Sequence, residues 1–257
     1  GARRAHDARG VVARRGQLIV AIIGKGGVGK TTVAALLLRR LLESDENPIL
    51  AIDADPSSCL GAALGLRVER TLAQEREALR DGVGRPASMS QADWLALKTE
   101  EALVERSGFD LLTMGRPEGP GCYCFANNLI RGHLDRLGRA YRHVLLDCEA
   151  GLEHLSRRTV GRPDVLVCVV GRARMAAETI QRALGTYLEL HGVLPARVDL
   201  VLNGFEPGEP WAAELAELAA GDLAPFGRVL TVPSDARVME HERAGRSLLE
   251  LDAATPA

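Results

Sequence analysis

Residues 18–32, LIVAIIGKGGVGKTT, run from a short apolar stretch through a glycine-rich turn into a pattern typical of a helix. The spacing G-x-x-x-x-G-K-[ST] is matched by four residues, Gly24, Gly29, Lys30 and Thr31. Glycines let the backbone curl so that successive N–H groups point at phosphate oxygens, and the following helix N-terminus adds positive potential. The succession of strand, turn and helix predicts a phosphate-binding loop at the edge of a parallel sheet.

Short apolar runs alternate with helical patterns from residue 17 onward. Seven runs are expected to be strands: 18–23, 49–55, 110–115, 143–148, 164–170, 198–203 and 228–233. Helices are expected at 31–43, 126–138 and 176–192. Because most of the strands are continuously apolar, they predict a single α/β P-loop NTPase domain with a mostly parallel, twisted sheet of about seven strands and helices on both faces. Residues 67–108 carry helix formers but no strand pattern, so a helical layer is expected there.

Length and composition fit one globular domain of 257 residues. We assign 17–257 to that domain and the arginine-rich stretch 1–16 to a disordered extension or a vector-derived remnant. The net charge of −2 favours no nucleic-acid partner. No apolar run is long enough to cross a bilayer, and the C-terminus has no basic amphipathic pattern, so no membrane partner is expected. The five cysteines are odd in number and lack disulfide-type spacing, which favours the reducing cytoplasm.

The loop also predicts how a nucleotide such as ATP or ADP is held together with Mg²⁺. Lys30 is expected to reach the β and γ phosphates, and the Thr31 hydroxyl is expected to ligate Mg²⁺. The residues of the loop expected to line its phosphates are Gly24, Gly26, Gly27, Val28, Gly29, Lys30, Thr31 and Thr32, whereas Lys25 cannot easily fold back onto them. A glycine-rich turn with no ligand is the alternative interpretation.

Three aspartates follow predicted strands: Asp53 and Asp55 in the sequence DADP, and Asp147 at the end of VLLD. Ligands of open α/β sheets bind beyond the carboxyl ends of the strands. A single aspartate in such a position is usually a turn former or a helix cap. Three of them on the edge that carries the phosphate loop indicate a functional site.

The segment KGGVGKTT resembles the deviant Walker A motif of the family that contains division-site and plasmid-partition ATPases, the nitrogenase iron protein, and arsenite and tail-anchored-protein ATPases. In that family the first lysine, here Lys25, crosses a two-fold interface to the partner subunit's nucleotide. The resemblance implies an ATP-dependent homodimer in which Lys25 and Lys30 act on the phosphates. It also implies that Asp55 positions or activates the attacking water, that Asp53 holds the loop or the Mg²⁺ water shell, and that Asp147 holds Mg²⁺ through water. A solvated surface lysine is the alternative for Lys25.

Asn203 and the turn Pro233-Ser234-Asp235 match positions where the same family contacts adenine. The resemblance therefore implies nucleotide contacts for Asn203, Pro233 and Asp235. Two alternatives stay open, a turn residue at the end of a strand for Asn203 and a helix N-cap for the Pro233–Asp235 turn.

Cys122 and Cys124 stand one residue apart in GPGCYCFANN, residues 119–128. In an extended segment such residues project to the same side, about 6.5–7 Å apart at Cα, so two thiolates can chelate one soft or borderline metal. A closed tetrahedral site needs four ligands. Two such arms across a two-fold axis supply them, in agreement with the dimer that Lys25 implies. Cys168, inside the apolar run VLVCVV, is expected in the core, and free cysteines without a metal are the alternative for the pair.

Residues 114–131 and 145–159 resemble the CooC family, the nickel-insertion ATPases of carbon monoxide dehydrogenase maturation, and the similarity extends from about residue 17 to 251. The resemblance implies Ni²⁺ or Zn²⁺ at Cys122 and Cys124 on the dimer interface, switch II at 149–158, and a nickel enzyme such as carbon monoxide dehydrogenase as client. A partition or positioning ATPase with a protein, DNA or membrane client is the alternative. A basic surface or a terminal amphipathic helix would favour that alternative.

Overall fold

The computed structural model describes residues 17–116, 132–148, 162–221 and 226–251. In these ranges the chain forms a single eight-stranded sheet. Its strands are β1 Leu18–Gly24, β2 Ile49–Asp53, β3 Val104–Arg106, β4 Phe109–Thr113, β5 His143–Asp147, β6 Val165–Val170, β7 Arg197–Asn203 and β8 Arg228–Val232.

The strand order across the sheet is β3-β4-β2-β5-β1-β6-β7-β8. Every neighbouring pair is parallel except β3 with β4. The predicted α/β domain with a mostly parallel sheet is therefore confirmed.

Strand β3 was not predicted from the sequence, so the sheet has one strand more than the expected seven. It lies in the span 67–108, for which a helical layer was expected. Three residues are too few to show a strand period, and two of them are exposed. β3 forms because a turn at Gly108, with φ of 85°, folds the chain back antiparallel onto β4.

Helices occupy the connections between the strands. They are α1 Lys30–Glu43, α2 Leu60–Ala63, α3 Leu72–Arg80, α4 Gln91–Glu101, α5 at 132–138, α6 Arg174–His191, α7 Pro210–Ala220 and α8 Ala236–Ala244, followed by a 3₁₀ turn at Leu248–Glu250. The expected helices at 31–43 and 176–192 are confirmed within two residues. The first part of the expected helix 126–138 lies outside the described residues.

The sheet is buried at its centre. Strands β2, β5 and β6 are buried at every position, which explains their continuously apolar sequences. Cys168 on β6 is fully buried, as its apolar surroundings predicted. Among the described helices, none has both the length and the apolarity needed to span a bilayer.

The topology creates a crevice at the carboxyl end of β1. From β1 the chain crosses by α1 to β2 on one side, whereas β6 crosses by α6 to β7 on the other side. Right-handed crossovers in opposite directions place α1 and α6 on opposite faces of the sheet. Ligands of such sheets bind where the direction reverses, so the fold itself directs attention to the carboxyl ends of β1 and its neighbours.

Candidate functional site: a phosphate loop beside a buried carboxylate pair

The phosphate loop, residues 24–32, joins β1 to α1. Gly27 and Gly29 have positive φ angles of 81° and 92°, a region that glycine enters without steric cost. A Cβ placed on Gly26 or Gly27 would meet no atom within 4 Å, so the loop is open on that side. The loop then runs into α1, whose first N–H groups have no partner within the helix. This arrangement leaves room for an anion and supplies donors to it.

The inner side of the loop is tightly packed against neighbouring strands. Gly24 pairs with Val169 of β6, and a Cβ on Gly24 would overlap the Val169 carbonyl oxygen. The side-chain amide of Asn203, at the end of β7, donates a 2.9 Å hydrogen bond to the Val28 carbonyl oxygen. Asn203 thus supports the loop backbone, and its predicted contact with adenine stays a prediction.

Two buried carboxylates lie side by side below the loop. Asp53 of β2 and Asp147 of β5 are register partners on adjacent strands, and both are 0 % exposed. The Thr31 hydroxyl donates a 2.7 Å hydrogen bond to Asp147 Oδ2. Asp147 Oδ1 is also buried, yet it has no hydrogen-bond partner in the described part of the chain. Because such an oxygen is costly to bury alone, Thr31 and Asp147 fit a hard cation such as Mg²⁺, which prefers oxygen ligands.

Burial dominates the protonation of this pair. It raises the pKa of Asp53 to about 7. The N–H groups of Leu60 and Asp55, which donate to this carboxylate at 2.8 and 3.3 Å, act in the opposite direction and lower the pKa. Burial raises the pKa of Asp147 to about 6, and the Thr31 hydroxyl and the Lys30 charge oppose this rise. Near neutral pH the pair is therefore only partly ionised, and a bound cation would favour the ionised form.

Lys30 and Asp55 face each other at the opening of the same site. The Lys30 ammonium is only 6 % exposed, and its Nζ lies 3.8 Å from Asp55 Oδ2. The other oxygen of Asp55 accepts a 2.9 Å hydrogen bond from the N–H of Ser57, so the turn after β2 fixes this carboxylate. The fold therefore brings together five of the predicted residues: Lys30, Thr31, Asp53, Asp55 and Asp147.

Glu242 is a site residue that the sequence reasoning missed. It lies on α8, and its Oε1 accepts a 2.6 Å hydrogen bond from the Thr32 hydroxyl on the phosphate loop. The two residues are 210 positions apart, and a glutamate on a polar helix carries no sequence signal for such a contact.

Other predicted residues lie nearby without a demonstrated role. Asp235 caps α8 by accepting a 2.8 Å hydrogen bond from the N–H of Arg237, which agrees with the N-cap interpretation, and the Arg237 side chain holds the pKa of that carboxyl below its usual range. Pro233 directly follows β8. Lys25 is partly buried on the loop, and its carbonyl oxygen accepts a hydrogen bond from Val28. Nucleotide contacts of these residues stay predictions.

The predicted metal ligands Cys122 and Cys124, with the segment 149–158, lie outside the described residues. Of the cysteines that the structure describes, Cys59 is exposed, while burial raises the pKa of Cys148 and Cys168 far above the usual thiol range. Within the same ranges no three His, Cys, Asp or Glu side chains converge on one metal position. A nucleotide-bound Mg²⁺ is compatible with this, because it takes most of its ligands from phosphate and water.

Known proteins are similar to this chain in sequence and in fold. A family model described as the CobQ/CobB/MinD/ParA nucleotide binding domain matches residues 19–245. An uncharacterized ATP-binding protein of Methanocaldococcus jannaschii is 46% identical over 168 residues, which cover 64% of this chain and 66% of that protein. The carbon monoxide dehydrogenase accessory protein CooC of Rhodospirillum rubrum is 35% identical over 190 residues, covering 68% of each chain.

A solved structure agrees with the architecture. The septum site-determining protein MinD of Pyrococcus horikoshii, complexed with Mg-ADP, superposes with a TM-score of 0.60 at 20% identity, covering 90% of this chain and 87% of that chain. This likeness concerns the fold. Together with the family model over most of the chain, it shows that the protein belongs to the CobQ/CobB/MinD/ParA nucleotide-binding domain family of P-loop ATPases.

Proposed function

We propose that this protein hydrolyses ATP in a Mg²⁺-dependent reaction and uses the cycle to deliver nickel to an enzyme of the carbon monoxide dehydrogenase type. The observation that carries the ATPase part is the buried Asp147, which lies beside Thr31 and has one oxygen without a partner among the described residues. The open, glycine-rich turn directly above it supplies the donors that a triphosphate needs.

The chain's own residues supply most of the chemistry in this proposal. The loop N–H groups and the Lys30 ammonium bind the phosphates and neutralise the charge that develops on them. Thr31 and Asp147 would hold Mg²⁺, which would supply positive charge to the bound phosphates. Asp55, fixed through Ser57, orients the attacking water by accepting its hydrogen bond. Burial of the site excludes other water and strengthens each of these interactions.

Nickel delivery is supported by two separate observations. The first is the similarity to the CooC relative, which is described as a carbon monoxide dehydrogenase accessory protein. The second is the pair Cys122 and Cys124, whose thiolates suit a borderline metal such as nickel, here a cargo. In this proposal two subunits form a homodimer, each giving one cysteine pair to a shared site, and Lys25 acts on the partner subunit's nucleotide.

The strand connections give a physical reason for coupling the two activities. Thr113 ends β4 and is the register partner of Asp53, and Cys122 follows it by nine residues. Asp147 likewise ends β5, and the segment 149–158 begins two residues later. In this proposal, a change in how Asp53 or Asp147 is held is passed through these strand ends to the chain that leads to the cysteines or to the segment 149–158.

The test uses the purified homodimer with ATP, Mg²⁺ and NiCl₂ under reducing conditions. We expect ATP hydrolysis, nickel bound in a nucleotide-dependent manner, and transfer of that nickel to a nickel-free carbon monoxide dehydrogenase. Lys30→Ala should lose nucleotide binding, and Cys122→Ala should lose nickel but keep hydrolysis. Cys59→Ala is the matched control, because it removes an exposed thiol that is not part of the pair.

Two results would contradict the proposal. Nickel bound equally by the wild type and by Cys122→Ala would remove the metal function. Hydrolysis stimulated by DNA or lipid vesicles, with no response to nickel or to the nickel enzyme, would favour a partition or positioning ATPase instead.

A further inference from the structure

Helix α8 contacts the phosphate loop from the far end of the chain. The Thr32 hydroxyl donates a 2.6 Å hydrogen bond to Oε1 of Glu242. Thr32 is the third residue of α1 and directly follows Lys30 and Thr31, which are expected to contact the phosphates and Mg²⁺. A side-chain carboxylate of the protein thus lies in the first turn of α1, where the helix dipole favours a negative charge.

The rest of α8 is attached to the fold on one side. None of the nine residues of α8 is fully buried, although Val238 packs partly against the core. The segment that follows is firmly held, since Leu248 is fully buried and the Ser247 hydroxyl donates a 2.8 Å hydrogen bond to the Leu64 carbonyl oxygen. Two other residues of α8 bond to the segment that follows the helix: Glu240 accepts a hydrogen bond from Arg246, and His241 contacts the Ser247 carbonyl oxygen. The bond from Glu242 to Thr32 is a direct link between α8 and the loop among the described residues.

A nucleotide on the loop would compete with Glu242 for the same donor. A threonine hydroxyl has one proton to donate, so Thr32 cannot donate fully to a phosphate oxygen and to Glu242 at once. The carboxylate also repels a triphosphate brought into contact with the same turn. Because Glu242 is exposed, water and salt screen this repulsion and limit its size.

We propose that Glu242 is a competing anion that occupies Thr32 in the nucleotide-free protein, so that nucleotide binding breaks this bond and releases α8. The inference rests on the proposed nucleotide function and adds a moving part to it. Released at Thr32 and held at Ser247 and Leu248, α8 changes position when the loop fills. Asp235, at the start of α8, and the Pro233 turn before it then move with the nucleotide state.

The first test is the affinity for ADP, measured by titration calorimetry on the purified protein in Mg²⁺. Glu242→Gln removes the charge but keeps an acceptor for Thr32, and Glu242→Ala removes both. We expect each variant to bind ADP about threefold to tenfold more tightly than the wild type, with the smaller gain for Gln, and the gain should shrink in high salt. Glu240→Gln is the matched control: it removes the same charge from the same helix at a residue bonded to Arg246, and its affinity should stay within about twofold.

The second test is hydrogen exchange of residues 236–244. In the ligand-free state, this segment should exchange faster in Glu242→Ala than in the wild type or in Glu240→Gln. ADP should accelerate its exchange in the wild type but not in Glu242→Ala. Unchanged ADP affinity in both Glu242 variants would overturn the proposal and show that Glu242 has no effect on binding. Weaker binding would also overturn it and show that Glu242 is a nucleotide ligand. These outcomes are distinct from failure of the proposed function, in which the wild type itself binds neither ATP nor ADP.

Discussion

Thr31 donates a 2.7 Å hydrogen bond to Asp147, 116 positions away in the chain, and so joins the start of α1 to the end of β5. The bond occupies one oxygen of Asp147 and leaves the other, Oδ1, buried and without a partner in the described residues. A threonine hydroxyl and a carboxylate oxygen converge in this way where a Mg²⁺ nucleotide complex would bind.

Asp55→Asn should keep ATP binding and slow hydrolysis by about 100-fold or more, because the neutral amide orients water less well than the carboxylate. Hydrolysis is followed as phosphate release at saturating ATP, and binding is measured by calorimetry. Asp45→Asn is the control, since this aspartate lies in the turn before β2, at the opposite end of the strand. Equal turnover by Asp55→Asn and the wild type would remove Asp55 from the mechanism.

Lys25→Ala should bind ATP but hydrolyse it poorly, because its lysine is expected to act across the dimer. Mixing Lys25→Ala with Asp55→Asn should restore part of the activity. In such a mixed dimer one site has its own intact Asp55 and receives an intact Lys25 from the partner. If mixed dimers are shown to form and no mixture regains activity, Lys25 does not act in trans.

Cys122 and Cys124 should bind one Ni²⁺ or Zn²⁺ per dimer, and either Cys→Ala change should abolish binding. Metal binding should release protons and strengthen as the pH rises toward the thiol pKa, because the thiolate is the ligand. Nucleotide that favours the dimer should tighten metal binding by the same factor as metal tightens nucleotide binding. Sedimentation with metal quantification, in the apo, ADP and non-hydrolysable ATP states, measures the stoichiometry and the nucleotide linkage, and its repetition at several pH values measures the proton dependence. One metal per monomer would contradict the shared site.

The contribution of Asp53 and Asp147 to the stability of the ligand-free protein should fall as the pH rises from about 4 to about 7. The pKa of Asp53 is raised to about 7 and that of Asp147 to about 6, so the folded state holds protons that the unfolded chain releases. Their stabilising contribution is complete below the unfolded pKa near 3.8 and is lost as the pH passes the folded values. Asp147→Asn should make the loss between pH 5 and pH 8 smaller by about 1.4 kcal/mol, on the order of one pKa unit.

Urea unfolding in the presence of a chelator, without nucleotide, measures this pH dependence. Asp81→Asn is the control, because a hydrogen bond from Arg80 lowers the pKa of this exposed carboxyl and it titrates below the window. The same loss of stability in Asp147→Asn and the wild type would show that Asp147 is ionised throughout.

Gly24→Ala should lower the free energy of unfolding by about 2 kcal/mol or more, because the new Cβ would overlap the Val169 carbonyl oxygen on β6. Gly26→Ala is its matched partner two residues away. A Cβ there meets no atom within 4 Å, so its stability should change by less than about 1 kcal/mol. Denaturant unfolding of both variants checks the difference, and equal losses would show that the approach of β6 does not require glycine at residue 24.

The sequence alone determined the elements that depend on local pattern. Continuous apolar runs predicted seven of the eight strands, and the spacing of Gly24, Gly29 and Lys30 predicted the loop and the helix after it. Parallel strands end at a common edge, which was enough to expect Asp53, Asp55 and Asp147 near the loop. Strand β3 was missed because three residues cannot display a period, and the turn at Gly108 that pairs them with β4 acts only in the folded chain.

The partners of the site residues were decided by the tertiary structure. That Asp53 and Asp147 are neighbours, that Thr31 rather than another donor meets Asp147, and that Glu242 reaches Thr32 all depend on strand order and helix placement. Strand order follows from crossover direction and from packing of the whole core, which no short segment encodes. Local periodicity therefore places a residue at an edge, while burial and long-range packing choose its partner and shift its pKa.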